Sequence, residues 1–191
     1  MRRFLPVALS CLLLLGSCAG VPRPENDQST LVIGSFILDY PDGLFEYNAR
    51  TIPVGVYVTV RNNTKDSTFD LRTNDGGYFY FLSNGSDSYS LVRYSYSFTA
   101  SGIKTYSMEG EIGGTFTAAP GQVCYLGHIV FHHTRPKLAE VSMQSRTRNE
   151  SWQYDLKATR DDTPDRAIDF LRKLDPDSPW PSRTVVTAHM E

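Results

Sequence analysis

Alternation with a period of two runs through most of this chain and limits its fold more than any other feature. Val54, Val56, Val58 and Val60 fall on one face of an extended segment, and Gly55, Tyr57, Thr59 and Arg61 fall on the other. Side chains of a strand point alternately to opposite sides, so the pattern predicts a strand with one buried face and one wetter face. The same reading gives an extended run from Thr68 to Thr73, with Phe69 and Leu71 together, and a short aromatic strand from Tyr78 to Leu82. A longer strand from Tyr89 to Phe98 sets Val92, Tyr94, Tyr96 and Phe98 against Leu91, Arg93, Ser95 and Ser97. Leu31 to Tyr40 is apolar on both faces, which predicts a central or well-covered strand, and Gln122 to His132 reads as the most buried one. Clusters of Asn, Asp and Gly at residues 62–66, 74–77 and 84–87 supply the turns, because these residues tolerate positive φ. Gly110, Gly113 and Gly114 predict a bulge or bend within the extended stretch from Thr105 to Ala119. Lys137–Arg146 and Ser151–Ala158 read as a hairpin joined through Thr147–Glu150, with Trp152, Tyr154 and Leu156 on one face of its second arm.

One helix is predicted late in the chain. Thr163 is placed to cap it, Pro164 suits its first position, and Asp161, Asp162 and Asp165 complement its positive end. Arg172 and Lys173 complement the other end, and Asp175-Pro176 terminates it. Ala167, Phe170, Leu171 and Leu174 recur at i, i+3, i+4 and i+7 and form one apolar stripe. So short a helix is marginal alone, so the stripe must pack on something, and the sheet is the nearest candidate. The tail beyond it, with prolines at 176, 179 and 181, reads as extended, with Trp180 as an anchor. Many short strands and one helix predict a mainly β fold, an antiparallel β-sandwich with a C-terminal α-helix.

The N-terminus has a different character. Arg2 and Arg3 precede an uncharged apolar run from Phe4 to Leu15, and Gly16, Ser17 and Cys18 follow. That order is a secretory signal, and its apolar run is too short to span a bilayer stably. The segment resembles the lipobox of bacterial lipoproteins. The resemblance implies cleavage before Cys18, lipid on the Cys18 thiol, and a membrane as the first partner; the alternative is an ordinary secretion signal cut near Ala19-Gly20. Ala19 at the next position, where Asp is absent, resembles the pattern of lipoproteins sent to the outer membrane of the bacterial cell envelope. The predicted organisation is a signal peptide at 1–17, a flexible tether at 18–29, a sandwich at 30–160, and a helix with an extended tail at 161–191. The tether holds two prolines and could extend about 35 Å, enough to clear a headgroup layer.

Loss of residues 1–17 removes Arg2 and Arg3 and no acid, moving the net charge from −2 to −4. No stretch is strongly basic, which argues against nucleic acid as a partner. With Cys11 gone with the signal and Cys18 acylated, Cys124 has no disulfide partner and reads as a small buried hydrophobe.

Gly55-Val56-Tyr57-Val58-Thr59-Val60, then Thr73-Asn74-Asp75-Gly76-Gly77-Tyr78-Phe79-Tyr80-Phe81, then Gly85 to Leu91 resemble the strand pattern of the prealbumin-like (carboxypeptidase-regulatory-like) β-sandwich. Thr117 to Gly127, with Ala119-Pro120-Gly121 and Tyr125-Leu126-Gly127, is similar to a stretch of small bacterial envelope lipoproteins of unknown function. The resemblance spans residues 30–133. Ser83 to Ser88 is longer and more polar than that pattern, and Cys124 stands where an aromatic is common. It implies a fold and an envelope location, and no catalytic residues.

Three functional readings follow. The first is a non-catalytic module, lipid-anchored and in contact with an envelope protein partner, without a cofactor. The second is a glycan- or ion-binding module that uses Tyr78, Tyr80, Tyr89, Asp75 and Asp87 around the hairpins, since sugars and proteins both stack on Tyr. The third is a metal-dependent hydrolase built on His128, His132 and His133. Against the third, zinc needs its ligand atoms about 2.0–2.1 Å from one ion. His128 and His132 share a face but lie about 13 Å apart along a strand, and the adjacent His132 and His133 point oppositely. No metal site is therefore assigned. The carboxylate pairs Asp161-Asp162 and Asp175-x-Asp177 flank the helix, where capping explains them.

Overall fold

A computed structural model describes residues 20–39, 51–52, 55–74, 76–100, 104–133, 137–144, 147–153 and 156–190. The strands are β1 (Ser29–Asp39), β2 (Thr51–Ile52), β3 (Tyr57–Asn62), β4 (Ser67–Arg72), β5 (Tyr78–Asn84), β6 (Ser88–Ala100) and β7 (Lys104–Glu111). They continue as β8 (Thr115–Thr117), β9 (Val123–His133), β10 (Lys137–Gln144), β11 (Thr147–Gln153) and β12 (Leu156–Asp161). The helix α1 (Asp165–Leu174) and the short strand β13 (Val185–Thr187) close the chain.

Two sheets face each other. In the first, β1 and β9 lie side by side at the centre. β5 and β2 follow one another along the free edge of β1, and β13 and β12 along the free edge of β9. In the second sheet the order is β4-β3-β6, with β8 and β7 successive along the outer edge of β6. Among the described residues β10 and β11 pair only with each other. The second sheet is antiparallel as predicted, but the first is mixed, because β1–β9 and β13–β9 are parallel. A parallel pair needs a long crossover. Here the whole second sheet is built by the chain between β1 and β9.

Burial follows the alternation. Val32, Phe36, Leu38, Phe79, Phe81, Leu126 and Phe131 of the first sheet meet Val56, Val58, Val60, Leu91, Tyr94 and Tyr96 of the second. Phe36 anchors this layer, stacked on Phe131 at 4.6 Å between centroids and tilted against Tyr94 at 5.0 Å. Cys124 is buried there too, and loss of hydration pushes its thiol up to about 11, as befits an inert packing residue.

Two bulges reverse the alternation. Thr59 pairs with Arg93 but Val60 with Leu91, so β6 carries one residue more than β3. Val92 is exposed, and Leu91 and Tyr94 both turn inward, which corrects the predicted grouping of Val92 with Tyr94. In β9, Ile33 pairs with Tyr125 and Ser35 with His128, leaving Leu126 and Gly127 opposite Gly34 alone. Gly127 adopts φ +91°, a conformation that suits glycine, and His128 is thereby carried to the outer face.

Part of the outer face of the first sheet, near the starts of β1 and β9, is covered as well. Leu31, Ile33, Val123 and Tyr125 pack under Ala167 and Leu171 of α1 and under Trp180, so the stripe docks on the sheet as predicted. Leu174, the fourth member of the stripe, stays exposed. Thr163 does not cap the helix. Its amide and hydroxyl both donate to Asp161 Oδ1, at 3.0 and 2.6 Å, while Pro164 occupies the cap position. The predicted hairpin also shifts. Gln144 pairs with Thr147, which places Thr147–Glu150 within β11, and Leu156 and Ala158 belong to β12 on the first sheet. The turn-forming composition of Thr147–Glu150 yields to cross-strand pairing.

The largest departure concerns the tether. From Val21 onward it is docked. Val21 is buried in the outer cluster, and Trp180 Nε1 donates to the Pro22 carbonyl at 2.7 Å. Arg23 donates to the Asp177 carbonyl at 2.6 Å and pairs with Asp175 at 3.2 Å. Arg183 donates to the Ser29 carbonyl at 2.7 Å, and its guanidinium lies over the Trp180 ring at 4.8 Å. Polar composition and two prolines suggested a free linker, but the C-terminal tail supplies partners for its backbone. Residues 1–19, including Cys18, lie outside the described residues. Among the described residues no helix is long and apolar enough to cross a membrane.

Candidate functional site

The outer face of the first sheet carries a polar row beside its apolar cluster. Tyr78 of β5 pairs with Ser35 of β1, Ser35 with His128 of β9, and His128 with Asp161 of β12. Directly paired residues project from the same face. The row therefore exists because three registers coincide and because the Gly127 bulge turns His128 outward. The Ser35 hydroxyl and His128 Nδ1 are hydrogen-bonded. The first turn of α1 lies above the row: Arg166 pairs with Asp161 at 3.2 Å, and the Tyr78 hydroxyl donates to the Arg166 carbonyl at 3.4 Å.

A serine, a histidine and an aspartate in register invite comparison with a nucleophilic relay, but their contacts differ from one. Ser35 is fully buried beneath its neighbours, where no substrate carbonyl reaches its hydroxyl. Asp161 accepts from Thr163 and pairs with Arg166, so its oxygens are committed elsewhere than to the imidazole. The row acts as a polar seam that seats the start of α1. Beside it, the fully buried Tyr125 hydroxyl finds no hydrogen-bond partner among the described residues, and burial pushes its pKa up to about 12.

The seam has a pH signature. Burial first, and Arg166 second, hold the His128 imidazole below its ordinary value of 6.5, with Asp161 opposing them. The unfolded chain therefore takes up this proton before the folded chain does. Stability falls as pH drops below about 6.5 and stops falling on this account below the folded-state value. We expect chemical denaturation midpoints measured between pH 7.5 and 5 to decline, and His128→Gln to flatten that decline. An unchanged slope in the variant would show that the seam does not titrate.

The five residues predicted to bind a ligand separate into two groups. Tyr78 stacks on Phe170 of α1 at 3.9 Å and 10°, and Tyr80 lies 6.4 Å from the same ring, so both are helix-packing residues. Tyr89 and Asp87 are buried at one end of the sandwich. The Tyr89 hydroxyl lies 2.9 Å from Ser83 Oγ and 3.3 Å from Asp87 Oδ2. Asn62 and Lys65 donate to the same Asp87 oxygen at 3.0 and 2.8 Å. Asp75 lies outside the described residues. The phase of β5 explains the separation: Tyr78 and Tyr80 face away from the inter-sheet core, whereas Tyr89 faces into it. Proximity in sequence across a hairpin does not place side chains on one surface.

The histidines are dispersed in the same way. His128 is held by Ser35, and His132 Nε2 is hydrogen-bonded to Thr159 Oγ1 at 2.9 Å on the neighbouring strand. Among the described residues no group of three or more His, Cys, Asp or Glu side chains is arranged to hold a metal ion. Sequence reasoning missed Ser35 and Arg166, whose roles depend on strand register and on where α1 lands.

No protein-family model matches the chain, and no curated protein matches it. Among solved structures it is similar to a leucine-rich repeat protein from Bacteroides thetaiotaomicron VPI-5482, at 19% identity and a TM-score of 0.34. That similarity covers 55% of this chain and 14% of the other.

Proposed function

We propose that this chain is a lipid-anchored protein of the bacterial envelope that works by surface contact with another envelope protein, without bond-making chemistry. The observation that carries this reading is the N-terminal order of Arg2-Arg3, an uncharged apolar run, and Gly16-Ser17-Cys18. Cys18 becomes the acylated first residue, and Ala19 directs the protein to the outer membrane. The kinship with prealbumin-like envelope lipoproteins belongs to the same proposal. Packing supports the contact role. The outer face of the first sheet around Leu31, Ile33, Val123 and Tyr125 is occupied by α1 and Trp180, and Tyr78, Tyr80, Tyr89 and Asp87 are engaged in helix packing or in a buried network.

Replacing Cys18 by Ala tests the anchor. The variant is expected to lose metabolic lipid label and to move from the membrane pellet to the aqueous fraction, with an unchanged melting temperature. Lipid label that persists in the variant would overturn the reading. Crosslinking in native membranes, followed by identification of the captured protein, tests the contact role.

A further inference from the structure

The docked N-terminal segment fixes which end of the molecule an anchor at Cys18 would hold. Val21 is buried against Trp180, and the residues after it are clasped by Asp175, Asp177 and Arg183. Only three peptide steps separate Cys18 from Val21. Fully extended, they span about 10 Å, far less than the reach of the whole predicted tether.

The two ends of the sandwich are distinct. β1 begins at Ser29, where Asn84 of β5 pairs with it and donates to Glu25 at 3.1 Å. β9 begins at the same end, since Leu31 pairs with Val123. β6 runs in the same sense: Tyr89 near its start meets Phe81, the partner of Val32, and Tyr94 further along meets Phe36 and Phe131. The clasp therefore lies at the end where β1, β6 and β9 start. All three strands finish at the opposite end. There β6 turns into β7, and the chain beyond β9 leads into the β10–β11 hairpin. Along the 11 residues of β1 the ends are about 35 Å apart.

We infer that the Val21–Trp180 clasp seats one pole of the sandwich on the lipid bilayer and displays the β6–β7 and β10–β11 hairpins at the opposite pole, away from the membrane. The inference rests on the proposed acylation of Cys18. Its physical basis is a short tether: because the chain from Cys18 to Val21 reaches at most about 10 Å, the bilayer lies close to the clasped pole, and the far pole lies deeper in the aqueous phase. Charge does not drive the seating, because Arg23 and Arg183 are offset in number by Glu25, Asp27, Asp175 and Asp177 in the same two segments. The connection does.

Energy transfer from the protein to the membrane surface tests this. Cysteines introduced as Asp177→Cys, at the clasped pole, and as Ala158→Cys, toward the far pole, are labelled with a donor dye; both sites are exposed and Cys124 is buried. The full-length lipidated protein is reconstituted into phosphatidylethanolamine–phosphatidylglycerol vesicles that carry an acceptor on the headgroups. Lipidation is verified by intact mass before measurement. We expect transfer from position 177 to exceed that from position 158 at least twofold. A spacer of ten Gly and Ser residues between Gly20 and Val21 should abolish the difference. Absence of lipid on Cys18 overturns the anchoring reading and this inference together. Lipidated protein with equal transfer from both positions, or with a difference that the spacer leaves intact, overturns this inference alone.

Discussion

Trp180→Ala is expected to destabilise the protein by about 4 kcal/mol, the range for truncating a large buried aromatic, and to lower its melting temperature by about 10 °C for a domain of this size. Trp180 is fully buried and is the largest side chain in the outer cluster. Its removal opens a void between α1, the first sheet and Val21, and it strips the Pro22 carbonyl of its 2.7 Å donor. Because helix and N-terminal segment share this one ring, the loss should be visible at both. Amide exchange across residues 21–28 and across α1 is expected to rise together, well before exchange in β1 or β9. Trp180→Phe separates packing from hydrogen bonding. It keeps most of the apolar contact, loses the Nε1–Pro22 bond, and should cost about 1–2 kcal/mol. A melting temperature within about 2 °C of the parent for the alanine variant would mean that the clasp contributes nothing to the fold.

What could be read in the sequence was local periodicity, and what could not be read was register. The valine ladder at 56, 58 and 60, the doubly apolar β1 and the stripe on α1 follow from one-dimensional patterns, because burial on one face imposes a period of 2 or 3.6. Bulges break that logic. Nothing in Leu91-Val92-Arg93 shows that an extra residue sits there, and the choice of which apolar side chain turns inward is made by β3 across the sheet. Gly127 is a bulge former, yet its effect on His128 appears only when β1 is aligned beside it. The polar seam needs three such registers together, so Ser35 was unremarkable in the sequence. The docked N-terminal segment was hidden for a related reason. Its proline-rich, polar composition describes a linker equally well, and its partners, Trp180 and Arg183, lie more than 150 residues away. The aromatic residues proposed to bind a ligand were visible as aromatics, but the face each occupies depends on a strand phase that sequence spacing leaves open.

Asp87 offers the sharpest electrostatic test. It sits at the turn between β5 and β6 with only 7% of its surface exposed, and one of its oxygens meets Asn62, Lys65 and Tyr89. Asn62 also accepts from the Lys65 amide at 2.9 Å, so the carboxylate ties the β3–β4 turn to the β5–β6 turn. Asp87→Ala leaves the buried Asn62 amide short of an acceptor, which costs about 1–3 kcal/mol, whereas the Tyr89 hydroxyl keeps Ser83 Oγ at 2.9 Å. The expected loss is about 2 kcal/mol in urea denaturation at pH 7. Asp87→Asn retains an acceptor oxygen but forfeits the charge, and it should lose roughly half as much. The two variants also differ from the parent in acid. The bond from Lys65, then that from Asn62, holds the folded carboxyl below its ordinary value of 3.8. Its contribution is therefore complete above about pH 4 and is lost as pH falls through the folded-state value, because the unfolded chain binds that proton first. In Asp87→Asn this part of the acid transition should vanish. A residual slope should remain from Asp161, whose carboxyl is held low chiefly by the Thr163 hydroxyl and amide. If Asp87→Ala is as stable as the parent at pH 7, the two turns are joined by packing alone. If it is destabilised but Asp87→Asn keeps the parent's full acid slope, the charge at this position contributes nothing beyond its hydrogen-bond geometry.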